Sequence, residues 1–318
     1  MVRRPKILSS RVKPSTQIVE GCILDISSLK TALEGISVAY YPVQSMSSEE
    51  SFEETDRKAA NNFGKAAKES GVDRIIYLGG LTDENEKLSP HLRGSQEVGN
   101  ILRQYGVPII EFRASILIGS GSLSFQLIRS LVERLPVMIT PKWVQISAQP
   151  IAIEDLIEYL EAGLFLPNSA CMTYEIGGAD QVSYADIMRI YAKNLNKSLR
   201  MIAVPVLSPY ISSLWLGLIT PLYARIGRKL TQSIDHPTIV QDDTALKVFN
   251  IKPTGINEAI DRTINTEDKD FPESRWSDSL VSAGETKSWL GVNFGSRLVD
   301  SRTLKVGIPP EKVFQPIQ

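Results

Sequence analysis

Few side chains in this sequence could act as acids, bases or nucleophiles near neutral pH. The histidines are His91 and His236, and the cysteines are Cys22 and Cys171. A histidine can transfer protons in this pH range, but His91 directly follows Pro90, where a predicted helix begins. Two interpretations of His91 therefore stay open: an acid–base group, or a surface residue at a helix start.

The composition limits the classes of partner and site. The 318-residue chain carries 35 basic and 36 acidic side chains, with 42% hydrophobic residues. This is typical of a globular protein with a large core, and the length predicts about two domains. The balanced charge argues against a nucleic-acid partner. The histidines and cysteines lack metal-ligand spacing, so no metal site is predicted. Residues 1–8 lack the apolar stretch of a secretory signal, so we expect a cytoplasmic location.

Short apolar runs alternate with amphipathic stretches through the first 200 residues. That alternation is typical of a parallel sheet with helices on both faces. The sequence therefore predicts an α/β fold with a doubly wound, mainly parallel sheet. The predicted strands cover residues 18–21, 38–43, 74–78, 108–113 and 174–178, and the predicted helices cover 26–33, 50–70, 90–105, 123–135, 153–165 and 183–195.

The last fifty residues differ from the part before them. Residues 266–295 are polar and acidic, which is typical of a linker. Residues 296–318 then predict a strand at 302–306 and a helix start at Pro309. We therefore predict a main domain over residues 1–265, a linker, and the beginning of a second domain.

Residues 201–224 form an uncharged segment flanked by basic residues. Its length would suffice to cross a bilayer of about 30 Å, but Pro205, Pro209 and Pro221 interrupt it. Three interpretations stay open: an apolar wall on the substrate side, a segment that docks on a membrane surface, and a transmembrane span. Docking would make the protein a peripheral membrane protein.

Several sequence blocks occur in an order that is known from one superfamily. Over residues 18–262, the chain resembles the extended and atypical short-chain dehydrogenases/reductases, and most of all their NAD(P)H-binding, nucleoside-diphosphate-sugar-epimerase-like branch. Residues 296–314 resemble the opening of a helix-grip, ligand-binding domain of unknown function. The first resemblance implies a Rossmann-like sheet, a smaller substrate-side α/β region and an NADP or NAD cofactor. The blocks that carry it lie at residues 19–25, 39–46, 77–81, 112–119, 150–156 and 174–178.

The resemblance also implies cofactor contacts. Asp25 would lie near the adenine, although it could equally cap the helix that follows. Arg3 and Arg4 would select a 2′-phosphate, which favours NADP over NAD. Arg113 would approach the nicotinamide, or else form an internal ion pair that closes its strand. The remaining residues implied at the carboxyl ends of the strands are Pro42, Val43, Ser45, Leu78, Gly79, Gly80, Ala114 and Ser115.

One expected element is not found in the sequence. No glycine-rich G-x-x-G-x-x-G turn precedes residue 18, although such a turn holds the pyrophosphate in this fold. Residues 1–5 resemble the end of the family's second strand, so we expect a fragment, or a start at an internal Met. The absent strand would be central, so residues 18–21 would lack partners and the strand at Val38 would expose an apolar edge. We predict that the 318-residue chain binds dinucleotide weakly or not at all.

The catalytic positions of the family also differ here. Family reductases use a Ser after the fifth strand and a Tyr-x-x-x-Lys pair on the next helix. Aligned with this pattern, the Tyr position holds His91, the Lys position holds Ser95, and the Ser position falls on Gly79 or Gly80. Two functions stay open. The chain could be an oxidoreductase or epimerase-like enzyme with a small, hydrophobic or lipid-like substrate. Alternatively, it could be a non-catalytic NAD(P)H-binding protein, similar to the nucleotide-binding accessory subunit of respiratory complex I.

Overall fold

Strands and helices alternate through most of the chain, as the apolar pattern predicts. The structure is a computed structural model that describes residues 1–3, 5, 12–42, 52–81, 90–135, 137–140, 142–167, 171–203, 236–269, 292–294 and 297–299. Contacts divide the chain into two units, Met1–Ser282 and Ala283–Gln318. The first half of the larger unit contains α1 (Ile26–Leu33), β1 (Val38–Tyr41), α2 (Phe52–Glu69), β2 (Arg74–Gly80), α3 (Pro90–Gln104), β3 (Ile109–Ala114), β4 (Leu117–Ile118), α4 (Leu123–Arg134) and β5 (Val137–Thr140).

The second half of the larger unit adds shorter strands and four more helices. A 3₁₀ turn (Lys142–Gln145) follows β5, and a second one (Gly163–Phe165) follows α5. The smaller unit contains an antiparallel strand pair. The elements of the larger unit are β6 (Ser147–Ala148), β7 (Ile151–Ala152), α5 (Ile153–Ala162), β8 (Met172–Ile176), β9 (Val182–Ser183), α6 (Tyr184–Asn194), β10 (Arg200–Ala203), α7 (Thr244–Val248) and α8 (Ile256–Lys269). The strand pair of the smaller unit is β11 (Val292–Phe294) and β12 (Arg297–Val299).

The central sheet has four parallel strands in the order β1-β2-β3-β8. Side chains alternate between its two faces. One face packs against α1, α2 and α3 through a core that includes Tyr41, Ile75 and Phe63. The other face packs against α5 and the α7 region through Phe112 and Tyr159. These layers confirm the predicted α/β fold with helices on both faces of a parallel sheet.

A second region is built around α4, α6 and α8 and the short strands β4 to β7. Its core contains Phe125, Ile128, Ile187 and Ile260, all buried. The α6 helix begins with a capping box, in which the Ser183 side chain accepts from the backbone N–H of residue 186 and the carboxylate there accepts from the N–H of Ser183. This region is the smaller α/β part that the sequence predicts beside the sheet.

The buried side chain of Arg74 fastens β2 to the end of α5. Its guanidinium donates to the backbone oxygens of Gly163 at 2.7 Å and Leu164 at 3.1 Å, and also to that of Leu166. The last carbonyls of a helix have no partner within the helix. One buried arginine therefore satisfies the carbonyl groups where α5 and its 3₁₀ turn end.

Some predicted elements differ from the observed ones. Residues 18–21 form no full strand, but they do have a partner: Glu20 makes a single parallel bridge to Val2. The Val2 N–H donates to Val19 O at 2.8 Å, and the Gly21 N–H donates to Val2 O at 3.0 Å. In the family pattern that residues 1–5 and 18–21 resemble, this is the contact expected between the ends of the family's second and third strands. Within the described residues, β1 forms one edge of the sheet, as predicted for the strand at Val38.

Differences are also found toward the end of the chain. The α8 helix continues to Lys269, so the first four residues of the predicted linker are helical. The strand predicted at 302–306, the helix start at Pro309 and residues 204–224 of the uncharged segment lie outside the described residues. None of the described helices has the length and apolar composition needed to cross a bilayer.

Candidate functional site

The carboxyl ends of β1, β2 and β3 bring most of the predicted nucleotide-binding residues together. Gly79 pairs with Arg113 and Gly80 with Ala114 in the register of β2 and β3, and Pro42 directly follows β1 on the other side of β2. Ser115 follows β3. Ligands of doubly wound sheets bind at this edge. The structure therefore places Pro42 and residues 78–80 and 113–115 at one edge of the sheet, while nucleotide binding by these residues stays a prediction.

Arg113 lies in a buried charge cluster at this edge. Its Nε donates to Glu111 Oε1 at 2.8 Å, and Arg103 from α3 binds the other carboxylate oxygen. Arg103 also donates to Thr173 Oγ1 at 2.8 Å. Glu111 is 1% exposed, and a buried carboxylate requires such partners. The geometry agrees with the internal ion pair that the sequence left open, while a contact between Arg113 and a nucleotide stays a prediction.

Ser95, at the family's Lys position, binds the end of β2. Its Oγ accepts from the Gly80 N–H at 2.9 Å and lies 3.0 Å from Tyr77 Oη, which also donates to the Ser95 carbonyl at 2.8 Å. Because Tyr77 Oη already donates to that carbonyl, the Ser95 hydroxyl donates back to Tyr77. Its proton and one of its two acceptor lone pairs are thus used within the protein. Ser95 therefore acts as a clamp between α3 and β2.

Tyr77 is the buried hydroxyl nearest to this edge, and sequence reasoning did not single it out. Burial raises the pKa of Tyr77 far above its ordinary value, an effect that the Ser95 hydrogen bond only partly opposes. The phenol therefore stays protonated at neutral pH and cannot accept a proton from a substrate. The signal in the sequence was a tyrosine in the middle of an apolar strand, where a buried hydroxyl needs a partner.

The glycine at position 79 leaves room for this clamp. A Cβ atom there would lie 3.2 Å from Ser95 Oγ and 3.4 Å from Glu111 Oε1. Helix α3, which carries Ser95, also approaches Glu111 closely at Gly99, where a Cβ atom would lie 2.8 Å from Glu111 Oε2. A serine at position 79, as the family pattern would have it, would therefore compete with Ser95 for space.

The loop expected near the adenine is held by side chains from two helices. Ser28 Oγ accepts from the Cys22 N–H at 3.0 Å, and Asn62 from α2 donates to the Leu24 carbonyl at 2.9 Å. Asp25 Oδ1 accepts from the N–H of Ser27 at 3.0 Å and from its hydroxyl at 2.7 Å. These hydrogen bonds lower the pKa of Asp25. Asp25 is thus the N-cap of α1, and its carboxylate stays exposed and charged.

Ser115 has a partner that the sequence did not indicate. Its Oγ lies 2.5 Å from Thr238 Oγ1, although the two residues are distant in the chain. The Thr238 segment forms a bridge to Ala148, and Gln149 next to it donates from Nε2 to the Gly178 carbonyl at 2.8 Å. This segment therefore lies beside the carboxyl end of β3. No sequence motif predicts the pairing of Ser115 with Thr238.

The remaining predicted site residues are less informative. Arg3 is exposed. Arg4, Val43 and Ser45 lie outside the described residues, as does the side chain of His91 on α3. Among the side chains that the structure describes, no group of three His, Cys, Asp or Glu residues could hold a metal ion.

Comparison with solved structures identifies the fold class. The triphenylmethane reductase of Citrobacter sp., in complex with NADP(H), superposes with a TM-score of 0.64 at 15% identity, over 82% of this chain and 88% of that one. An NADPH-dependent quinone oxidoreductase from Escherichia coli, in complex with NADPH, gives 0.64 at 16% identity, over 83% and 89%. A nucleoside-diphosphate-sugar epimerase from Staphylococcus aureus gives 0.64 at 14% identity, over 82% and 88%.

These neighbours share the architecture and little sequence. No protein-family model and no curated protein matches the chain. At such identities the likeness shows the fold alone. The chain has the Rossmann-like fold that the reductase and epimerase structures also have, as the sequence resemblance implied.

Proposed function

We propose that this protein binds NADP(H) or NAD(H) across the carboxyl edge of its sheet, and that it is related to oxidoreductases and epimerases without using their Ser and Tyr-x-x-x-Lys groups. The nicotinamide would lie against residues 78–80 and 113–115. The adenine would lie against the Cys22–Asp25 loop, and Arg3 and Arg4 would favour the 2′-phosphate of NADP.

One observation carries this proposal: three neighbouring strands, β1, β2 and β3, end at one edge, and β2 ends there in the pair Gly79 and Gly80. A bound nicotinamide would supply hydride transfer. The chain's own residues would orient it, because Ser95 and Tyr77 hold the β2 end and Glu111 holds Arg113 beside it. Preorganised groups of this kind reduce the cost of binding.

A second candidate is a non-catalytic NAD(P)H-binding protein. The clamp favours it, because the Ser95 hydroxyl is committed to the Gly80 N–H and to Tyr77 within the protein. Mass spectrometry of the purified protein under native conditions separates the two candidates. A small hydrophobic molecule retained beside the nucleotide supports the enzyme, whereas nucleotide alone supports the binding protein.

Calorimetric titration with NADPH tests the binding itself. Since no glycine-rich turn occurs in the 318 residues, we expect a dissociation constant between about 10 μM and 1 mM, which corresponds to roughly 7 to 4 kcal/mol of binding free energy. NADPH should bind more tightly than NADH, and the double variant Arg3→Glu/Arg4→Glu should remove that difference.

The possible outcomes have different meanings. Absence of heat up to millimolar NADPH would contradict the proposed function. Tighter binding, in the low micromolar range or below, would contradict only the expectation that a glycine-rich turn is required. Equal affinity of NADPH and NADH in the unchanged protein would remove the role given to Arg3 and Arg4.

A further inference from the structure

Two stretches without acidic residues are brought together by β5 and β10. Residues 134–153 contain no Asp or Glu, and neither do residues 187–234. The pairing is parallel, with Val137 opposite Arg200 and Met138 opposite Met201. Within the described residues, Lys197 and Arg200 are exposed basic side chains at β10. The basic residues of these two stretches are Arg134, Lys142, Arg189, Lys193, Lys197, Arg200, Arg225, Arg228 and Lys229.

The β5–β10 ribbon has a buried inner face and an apolar outer face. Met138 is 1% exposed, and Met201 packs against the core around α4 and α6. Because strand side chains alternate, Val137, Arg200 and Ile202 share the opposite face. Val137 is 47% exposed and Ile202 is 53% exposed. Parallel strands are almost always covered on both faces. The apolar composition of this outer face is therefore typical of a surface that contacts a partner in the functional state.

The charges beside the outer face indicate which kind of partner surface could bind it. Arg200 is exposed between the two apolar side chains, and the exposed Lys197 directly precedes β10. The turn before it is sharp, since Asn196 has a φ of 53° and the Lys197 N–H closes the end of α6 on the Ala192 carbonyl at 2.8 Å. Lysine and arginine around exposed aliphatic side chains match anionic headgroups above an acyl layer.

We propose that the outer face of the β5–β10 ribbon, formed by Val137, Arg200 and Ile202 with Lys197, docks on an anionic lipid surface. The aliphatic side chains would enter the headgroup layer, while the basic ones would contact lipid phosphates and carboxylates. The protein would then bring its sheet edge to a membrane surface, where hydrophobic small molecules concentrate. This inference does not depend on the proposed nucleotide binding.

Vesicle flotation with the full 318-residue chain tests the proposal. We expect binding to vesicles of phosphatidylcholine with about one third phosphatidylserine, and at least tenfold weaker binding to pure phosphatidylcholine. The variant Lys197→Glu/Arg200→Glu should lower partitioning to the anionic vesicles at least tenfold, because each reversal replaces attraction by repulsion. Ile202→Ser should lower it about fivefold through the lost apolar insertion.

Matched variants separate this surface from general effects. Ile157→Ser changes an aliphatic residue of similar exposure, 48%, on the acidic helix α5. Lys58→Glu/Lys65→Glu reverses two exposed charges on α2. Both should partition like the unchanged protein, and circular dichroism should show that every variant is folded.

Three results would overturn the proposal. The first is no flotation with anionic vesicles, and the second is equal loss of binding in the control variants. The third is a shift from dimer to monomer in Ile202→Ser, seen by light scattering, without any change in flotation. That last result would mean that a second copy of the chain covers the ribbon.

Discussion

The hydroxyl groups of Ser95 and Tyr77 satisfy each other at the end of β2, and Ser95 also holds the Gly80 N–H. Loss of a buried partner leaves the other group without a hydrogen bond, which costs about 1–3 kcal/mol. The pair therefore belongs to the structure of the edge. The end of β2 is thereby fixed by hydrogen bonds within the protein.

A double-mutant cycle measures this pair. Ser95→Ala and Tyr77→Phe should each lower the free energy of unfolding by about 1–2 kcal/mol. The double variant should lose less than the sum, with a coupling energy of about 1 kcal/mol. Urea denaturation followed by circular dichroism gives all four values. Full additivity would show that the two hydroxyl groups do not interact.

Tyr159 makes the opposite prediction. Its hydroxyl is buried and has no hydrogen-bond partner among the described residues, and burial raises its pKa to about 12. Since an unsatisfied buried hydroxyl is unfavourable, Tyr159→Phe should raise the free energy of unfolding by about 1 kcal/mol. Tyr191→Phe is the matched control, because that hydroxyl donates to Glu133 Oε1 at 2.7 Å. It should lower stability, and a gain of the same size in both variants would contradict the argument.

At the scale of elements, Arg74 joins the first residue of β2 to the end of α5. Replacing it with Met keeps the aliphatic part of the side chain but removes the guanidinium, which leaves the carbonyls of Gly163, Leu164 and Leu166 without these donors. Arg74→Met should therefore lower the free energy of unfolding by about 3 kcal/mol. Arg189→Met, which removes an exposed ion pair on α6, should change it by less than about 0.5 kcal/mol.

Thermal unfolding of both variants provides the measurement. Similar melting temperatures for Arg74→Met and the unchanged protein would mean that water replaces the guanidinium at no cost. The local unfolding of α5 should appear first, since its Tyr159 and Leu156 pack on the same face of the sheet.

The sequence predicted most elements because local patterns determine them. Apolar runs gave β2 and β3, and Asp25 and Ser183 gave the starts of α1 and α6 through their capping side chains. Contacts between residues that are distant in the chain leave no such local pattern in the sequence. Ser115 with Thr238 is one example, and Arg74 with the end of α5 is another, because neither spacing nor residue type identifies the partner. The resemblance could supply positions at the edge, but not the partners that hold them.

At the scale of the whole molecule, the carboxyl edge and the opposite edge of the sheet should respond differently to nucleotide. With saturating NADPH, amide hydrogen exchange should slow at residues 22–25, 78–80 and 113–115. It should stay unchanged at residues 74–75 and 163–166, at the other end of the strands. Exchange followed by mass spectrometry resolves these segments, and uniform slowing would argue for global stabilisation without a defined site.

The hydroxyl contact between Ser115 and Thr238 has a consequence for folding during synthesis on the ribosome. The two residues are 123 positions apart, so at about 5–20 residues per second a ribosome needs roughly 6 to 25 seconds to deliver the second after the first. β1, β2 and β3 are neighbours in both chain and sheet, so they can pair while translation continues. During that interval the nascent chain can hold a formed sheet whose β3 end is not yet covered by the Thr238 segment, and this is the stage at which a chaperone would be of most use.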